Sequence, residues 1–494
     1  MLDYIVVGGG IGGTIAYLLL KTLGKSVVLF EKLDYLGGCA GTFKRDGLFF
    51  NVGASTLVGL EDNLPLDVLL KILGIEKSRM PIKEIDPSIL VFVGDKVISR
   101  YKDFERSFEE INRNFYHKEN RKLWERILMT SKTNWEHVYK VLPFNPRSCY
   151  KLASSVLRNS RYLLSTLREN FLSAERVIRS YLGSVEKDYQ MFLNSQILMT
   201  TQCYWNEVNF SFASMGLTYT NLSNYYVKGG MAEFLHTLVG QDENVKRKTK
   251  VLKISKERDH FKVYTNRGTY ETKRLILNRT IWDFCDLFDD SVDKGPCEKN
   301  RKTYSKIWSA STLYFGVKDP QNLLDKHHYQ IVHPEENPYT GSYSFFVSVA
   351  DPEDTVQGYR PVVISTHCKI EKWEDIKSKE DYQERKEKLK DFILEKLYQH
   401  IPTFRNLEKT AVLVGTPHTF RRYTERYKGT VGGIPLRFEY TMLRYPVGFT
   451  YIKDVYLVGD SVFPGQGYPG VVLGVFNLLM QIERDFHEVL HRYI

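Results

Sequence analysis

Tyr4-Ile5-Val6-Val7-Gly8-Gly9-Gly10-Ile11-Gly12-Gly13, continued by TIAYLLLKTLG (14–24) and SVVLFEK (26–32), reads as strand, glycine turn, helix and second strand. Gly8 permits the tight turn. Gly10 lets the backbone approach a pyrophosphate, and Gly13 allows close helix-to-strand packing. Free N–H groups at the helix start, Gly12 among them, face the anion. Glu31 ends the second strand 18 residues after Gly13, the distance at which an acid accepts hydrogen bonds from an adenosine ribose. A glycine triplet alone is weak; the strand before it, the helix after it and the acid beyond it together predict a dinucleotide site.

The next residues, Gly37-Gly38-Cys39-Ala40-Gly41-Thr42, hold a second glycine cluster where a plain nicotinamide domain carries a helix. Gly37, Gly38 and Gly41 are therefore expected to bring backbone close to more cofactor, the phosphates or ring of FAD, or else to form a surface turn. Near the other end, Val455-Tyr456-Leu457-Val458 reads as a buried strand, followed by Gly459-Asp460-Ser461 and a turn, FPGQGYPG (463–470). Asp460 at the strand end is placed to hydrogen-bond ribityl hydroxyls, and Gly465, Gln466 and Gly467 to lie against a planar ring. VVLGVFNLLMQIERDF (471–486) is predicted to be a helix.

The chain has 494 residues, of which 43% are hydrophobic and 26% charged. That excludes disordered and low-complexity classes and leaves room for about three domain-equivalents. The net charge of +10 suggests an acidic partner. Its location narrows the choice: residues 111–182 hold 14 Lys or Arg and 5 Asp or Glu, nearly the whole excess. At 100° per residue Arg147, Lys151, Arg158, Arg161 and Arg168 share one side of a helix, opposite Leu152, Val156, Leu163 and Leu167. Residues 147–168 are thus expected to form a basic amphipathic helix that either lies on an anionic membrane or packs its apolar face on the domain core. No nucleic-acid motif accompanies the charge, so no nucleic acid is expected.

The cysteines at 39, 149, 203, 285, 297 and 368 form no C-x-x-C pair and have no His at metal spacing. They are expected to be free thiols in a reducing compartment, with no metal site. The first residues lack the basic and apolar regions of a secretory signal, and VVLGVFNLLM falls short of the roughly 20 residues that span a bilayer. A cytoplasmic protein, peripheral on the membrane, is the expectation.

YLVGDSVFPGQGYPG (456–470) resembles the flavin-covering C-terminal motif of carotenoid isomerases, within the larger phytoene desaturase and retinol saturase family of FAD-dependent oxidoreductases. Three further stretches are similar to that family in family order: EKLDYLGGCAGTFKRDGLFFNVGASTLVGL (31–60), LILNRTIWDF (275–284) and GTPHTFRRYTERYKGTVGG (415–433). NYYVKGGMAEFLHTL (224–238) matches the start of a helix of its FAD domain. The resemblance implies FAD phosphate contacts at Gly8, Gly10, Gly13, Gly37 and Gly38, ribose binding at Glu31, and ribityl or pyrophosphate contact at Asp460. It also implies a main-chain contact of adenine with Val251. Two departures stand out: Cys39 stands where desaturases often carry Arg, which removes an ionic contact to the pyrophosphate and leaves either a reactive thiol or a small buried hydrophobe, and Asn51 replaces a usual Asp.

The fold implied is α/β, a discontinuous Rossmann-type FAD-binding domain (1–80, 223–290 and 436–494) with an interleaved α+β substrate domain (81–222 and 291–435). The first insertion is expected to be mainly helical; the second mixes strands such as STLYFGV and PVVISTH with the helix EDYQERKEKLKDFILEKLYQHI. The family's reactions are isomerisation, desaturation or saturation of a polyisoprenoid polyene such as a carotenoid. Flavin oxidation of an amine or other polar substrate and a non-catalytic flavin-stabilised lipid carrier are the alternatives. His418, Arg421, Arg422 and Tyr423 are donors that either stabilise reduced flavin or serve a domain interface, and no acid–base pair is named.

Overall fold

The computed structural model describes residues 1–53, 55–146, 160, 168–440 and 444–494. The apolar run at its start becomes the strand Leu2–Val7, buried from Tyr4 onward. It lies parallel between Val27–Phe30 on one side and the C-terminal half of Gly268–Leu277 on the other. Val245–Lys246 and Val455–Leu457 extend the parallel sheet outward. Two antiparallel strands, Phe261–Thr265 and Val251–Lys256, fold back from the N-terminal half of Gly268–Leu277. One face is covered by the helices Ile11–Thr22 and Tyr468–Ile482, whose Ile15, Leu19, Val472 and Phe476 join Tyr4, Val6 and Leu29 in one core. The other face, with Ile5, Val7, Val28 and Leu275, packs on Trp282, Phe284, Phe288 and Tyr445. Both faces of the parallel strands are thus apolar, as a doubly covered parallel sheet requires.

A second sheet runs in the order Leu413–Gly415, Trp308–Val317, Arg360–Lys369, Ser344–Val349, His328–Val332, Ile89–Val93, Lys96–Arg100. Leu389, Ile393 and Leu397 of the helix Lys379–His400 are fully buried against one face, an apolar stripe at i, i+4, i+8 opposite the helix's charged residues. Opposite, helices Phe104–Asn114, Asn120–Glu136, Ala174–Leu182, Lys187–Thr201 and Phe210–Leu217 form a separate core with Ile89, Val91 and Ile98.

The first insertion is mainly helical but opens on three strands, Ile82–Ile85, Ile89–Val93 and Lys96–Arg100. The two-residue turn Gly94-Asp95, with Gly94 at φ 59°, joins the last two as a hairpin. The cysteines are not all free, because Cys285 and Cys297 form a disulfide with Cα atoms 6.2 Å apart. Cys285 sits on the short turn Phe284–Leu287 and Cys297 on the helix Gly295–Thr303, a bridge of 12 residues invisible to a search for C-x-x-C. Finally, the basic helix expected over 147–168 falls outside the described residues except for Ser160 and Arg168. Among the described residues no helix is long and apolar enough to cross a membrane, and no cluster of side chains suits a metal ion.

Candidate functional site

The N-terminal glycine turn opens into a cavity of about 1070 Å³. Of the residues singled out from the sequence, Gly8, Gly10, Gly12, Glu31, Gly37, Gly38, Val251, Gly459, Asp460, Gln466 and Gly467 line it. Gly13, Gly41 and Gly465 lie behind the wall: a Cβ on Gly13 would stand 2.0 Å from the Gly8 carbonyl, one on Gly41 2.7 Å from the Tyr35 ring, and one on Gly465 2.9 Å from the Tyr445 hydroxyl. Their small size lets neighbouring segments pack closely rather than admitting a ligand directly.

The two glycine clusters are tied together: Gly37 N–H donates to the Gly9 carbonyl at 2.8 Å. A side chain at Gly10 would meet the end of the Asn278 amide at 2.2 Å, so only glycine leaves this part of the cradle open. Asn278, at the end of the Gly268–Leu277 strand, joins three segments when its amide is turned so that Oδ1 accepts from Gly10 N–H at 3.1 Å and Nδ2 donates to the Val458 carbonyl at 3.2 Å. Glu31 accepts from Gly9 N–H at 2.7 Å and Leu33 N–H at 2.8 Å. Burial pushes its carboxyl up, and those two backbone donors pull it back only in part.

Asp460 pairs with Arg426, Nη2 to Oδ1 at 2.7 Å. Burial opposes the Arg426 charge, but Asp460 beside it holds the guanidinium above its usual range. Cys39 lines the same wall, and burial pushes its thiol up against the opposing field of Arg426, so the thiol rather than the nucleophilic thiolate is its neutral-pH form. Arg426 thus brings a cation to the neighbourhood in which Cys39 stands in place of an arginine. Asn51 does not reach the cavity. Its Oδ1 accepts from Thr42 Oγ1 and Met231 N–H, and Thr42 Oγ1 accepts from Ala232 N–H at 3.0 Å, which together satisfy the start of the helix Ala232–Val239.

Of the four donors in the 415–433 segment only Tyr423 lines the cavity. His418 Nε2 is 2.9 Å from the Trp373 carbonyl and its ring stacks on Tyr382, while Arg421 and Arg422 are exposed. Away from the glycine turn the wall turns apolar, with Met199, Phe212, Met215, Leu222 and Phe346. The carboxylates on the wall, Glu31, Glu425 and Asp460, all belong to the glycine-turn end. Asn278, Arg426 and the apolar wall are the features that the sequence did not single out.

Residues 6–73 match the family of NAD(P)-binding Rossmann-like domains. Over 94% of its length the chain is 29% identical to prolycopene isomerase 2 of an Oncidium hybrid cultivar, covering 81% of that protein. It is 27% identical to the Arabidopsis thaliana prolycopene isomerase over 94% of this chain and 80% of the other. All-trans-retinol 13,14-reductase of Danio rerio is 23% identical, over 96% of this chain and 85% of the other. Among solved structures, an oxidoreductase from Methanosarcina mazei superposes with a TM-score of 0.63 at 17% identity, over 97% of this chain and all of that one. A putrescine oxidase variant does so at 0.60 and 14%, over 99% of each, a likeness of fold. Along nearly its whole length the chain is thus similar to prolycopene isomerases, a retinol reductase and a carotenoid desaturase.

Proposed function

We propose that the protein is an FAD-dependent enzyme that acts on a polyisoprenoid polyene, with cis-to-trans isomerisation as its reaction. The observation that carries this reading is the continuity of one cavity from a glycine cradle beside the buried Glu31 carboxyl to an apolar wall. The cradle suits FAD: the Gly8–Gly13 turn, the abutting Gly37-Gly38 backbone and Asp460 at a strand end offer N–H donors and a hydroxyl acceptor in one line. When bound, the flavin supplies the redox chemistry. The chain's own residues then do the positioning. Gly8, Gly10 and Gly12 receive the pyrophosphate with Arg426 as the nearby cation, Glu31 receives the ribose, Val251 backs the adenine, and Gln466 and Gly467 border the ring. Phe212, Met215, Leu222 and Phe346 exclude water and hold an apolar chain.

Under this reading residues 1–80, 223–290 and 436–494 form the FAD domain, and 81–222 with 291–435 the substrate domain. The confinement of carboxylates to the glycine-turn end favours a polyene over an amine. The test is anaerobic incubation of the reduced, flavin-loaded protein with a poly-cis carotenoid in liposomes, followed by chromatography of isomers. Geometric change at constant mass supports isomerisation; a mass change of two hydrogens redirects to desaturation or saturation; an unchanged polyene together with amine-dependent peroxide release replaces the reading with an amine oxidase. Such a substrate partitions into lipid, which motivates peripheral membrane contact through 147–168. Replacing Arg147, Lys151, Arg158, Arg161 and Arg168 by Gln should lower sedimentation with anionic vesicles, and undiminished binding removes the electrostatic argument.

A further inference from the structure

Three hydrogen-bonding side chains on the strand wall of the cavity have no hydrogen-bond partner among the described residues. Ser365 and His367 alternate along the strand Arg360–Lys369 and so share a face. Ser344 of the neighbouring strand is held abreast of them, because Thr366 Oγ1 donates to the Ser344 carbonyl at 2.8 Å. All three line the cavity, and none of their side chains hydrogen-bonds a described residue. The His367 ring meets only the edge of Trp308, at 5.8 Å between centroids.

The contrast with Gln330, on the same wall, is informative. Its Oε1 accepts from Gln196 Nε2 at 2.6 Å, and Gln196 Oε1 in turn accepts from the fully buried Arg100 at 3.1 Å. Gln330 is committed to the framework; Ser344, Ser365 and His367 are left for the cavity. The patch sits beside the region assigned to the flavin: His367 is the register partner of Ala310, and Val431, next to Gly432, donates to the carbonyl of Trp308 at 3.1 Å. A Cβ on Gly432 would stand 2.4 Å from Gln466 Oε1.

A hydrocarbon filling this cavity would strip water from three polar groups and give nothing back, which is unfavourable. We propose that the Ser344–Ser365–His367 patch receives a neutral oxygen function of the substrate, a hydroxyl or an aldehyde carbonyl, and that the protein prefers an oxygenated polyene to the corresponding hydrocarbon. This rests on the polyene reading above. Burial pushes His367 down to about 4, so at neutral pH its imidazole offers one donor and one acceptor, as an alcohol needs. A carboxylate fits less well: the Lys and Arg side chains on the wall, Lys32, Lys250, Arg279 and Arg426, are all at the glycine-turn end.

The test is equilibrium binding of a linear C40 polyene and its 1-hydroxy derivative to the FAD-loaded protein, read from the shift of the polyene absorption band. The hydroxylated chain should bind at least about tenfold more tightly. His367→Phe should abolish that preference by weakening the hydroxylated polyene alone, Ser365→Ala should reduce it, and His367→Gln, which keeps a donor and an acceptor, should retain most of it. Should His367→Phe fail to fold, the Ser365→Ala and His367→Gln pair carries the comparison. Equal affinity of the native protein for the two chains, or variants that weaken both alike, overturns the patch while leaving the polyene reading intact. No binding of either chain overturns both.

Discussion

Arg426 reaches Asp460 across 34 residues of sequence, Nη2 to Oδ1 at 2.7 Å, and both side chains face the cavity at less than a fifth exposure. The pair sets two demands against each other. Removing one partner strands a partly buried charge, while the pair itself is close to neutral for stability relative to apolar residues. Asp460→Ala should therefore destabilise the flavin-free protein by about 2 kcal/mol, and Asp460→Leu with Arg426→Met should recover most of that. FAD affinity should behave differently, falling about tenfold or more in either single variant and remaining low in the double. Urea unfolding and a titration of flavin fluorescence separate the two effects; full recovery of FAD binding in the double variant would show that the pair is structural.

Gly10→Ala tests the cradle directly. The added Cβ would fall 2.2 Å from the end of the Asn278 amide that faces Gly10, and the other end of that amide is held by the Val458 carbonyl, so it cannot retreat freely. FAD affinity should drop about 100-fold, some 3 kcal/mol. Shortening the obstacle with Asn278→Ala should restore part of the loss. Gly24→Ala is the control: its Cβ meets nothing within 4 Å, so at φ 72° it carries backbone strain but no collision, and it should leave FAD affinity unchanged.

The cradle was legible in the sequence because a backbone that must be approached closely excludes every residue but glycine, and that exclusion is written in the chain itself. The same holds for Glu31, whose place depends only on one strand and one helix of ordinary length. Arg426 was not legible. The helix Pro417–Thr424 ends at Glu425 with φ 55°, and this left-handed residue turns Arg426 into the cavity while Arg421 and Arg422 remain outside. The strands from Ile82 to Arg100 were obscured by the helical, basic character of the residues that follow. Ile82–Ile85 and Ile89–Val93 have partners more than 100 residues away, at Asn224–Val227 and His328–Val332. Ser344, Ser365 and His367 converge only through the register of two strands.

The bridge between Cys285 and Cys297 replaces the expectation of free thiols there, and both residues are essentially fully buried. Non-reducing digestion followed by mass spectrometry should yield the two peptides joined. Closing a loop of this length restricts the unfolded chain, so replacing both cysteines by Ser should lower stability by about 3 kcal/mol. Unjoined peptides from protein alkylated before unfolding would instead return both cysteines to the thiol state.

His328 should make stability depend on pH. Both ring nitrogens are buried without a partner among the described residues, as is the hydroxyl of its register partner Ser348, and burial, with His327 nearby, pushes its pKa down to about 3. An unfolded histidine titrates near 6.5, so between these values the unfolded chain binds the extra proton. The sign follows: this part of the stability is complete above about pH 6.5 and is lost progressively as the pH falls toward 3. From pH 7 to pH 5 the loss is about 2 kcal/mol for one such group. His328→Phe removes the titrating ring and two unsatisfied nitrogens while filling similar space beside Phe346. The variant should be the more stable at pH 7 and should gain a further 2 kcal/mol or so over the native protein at pH 5. Parallel stability–pH curves from urea unfolding would show that His328 takes up its proton as readily in the folded protein as in the unfolded chain.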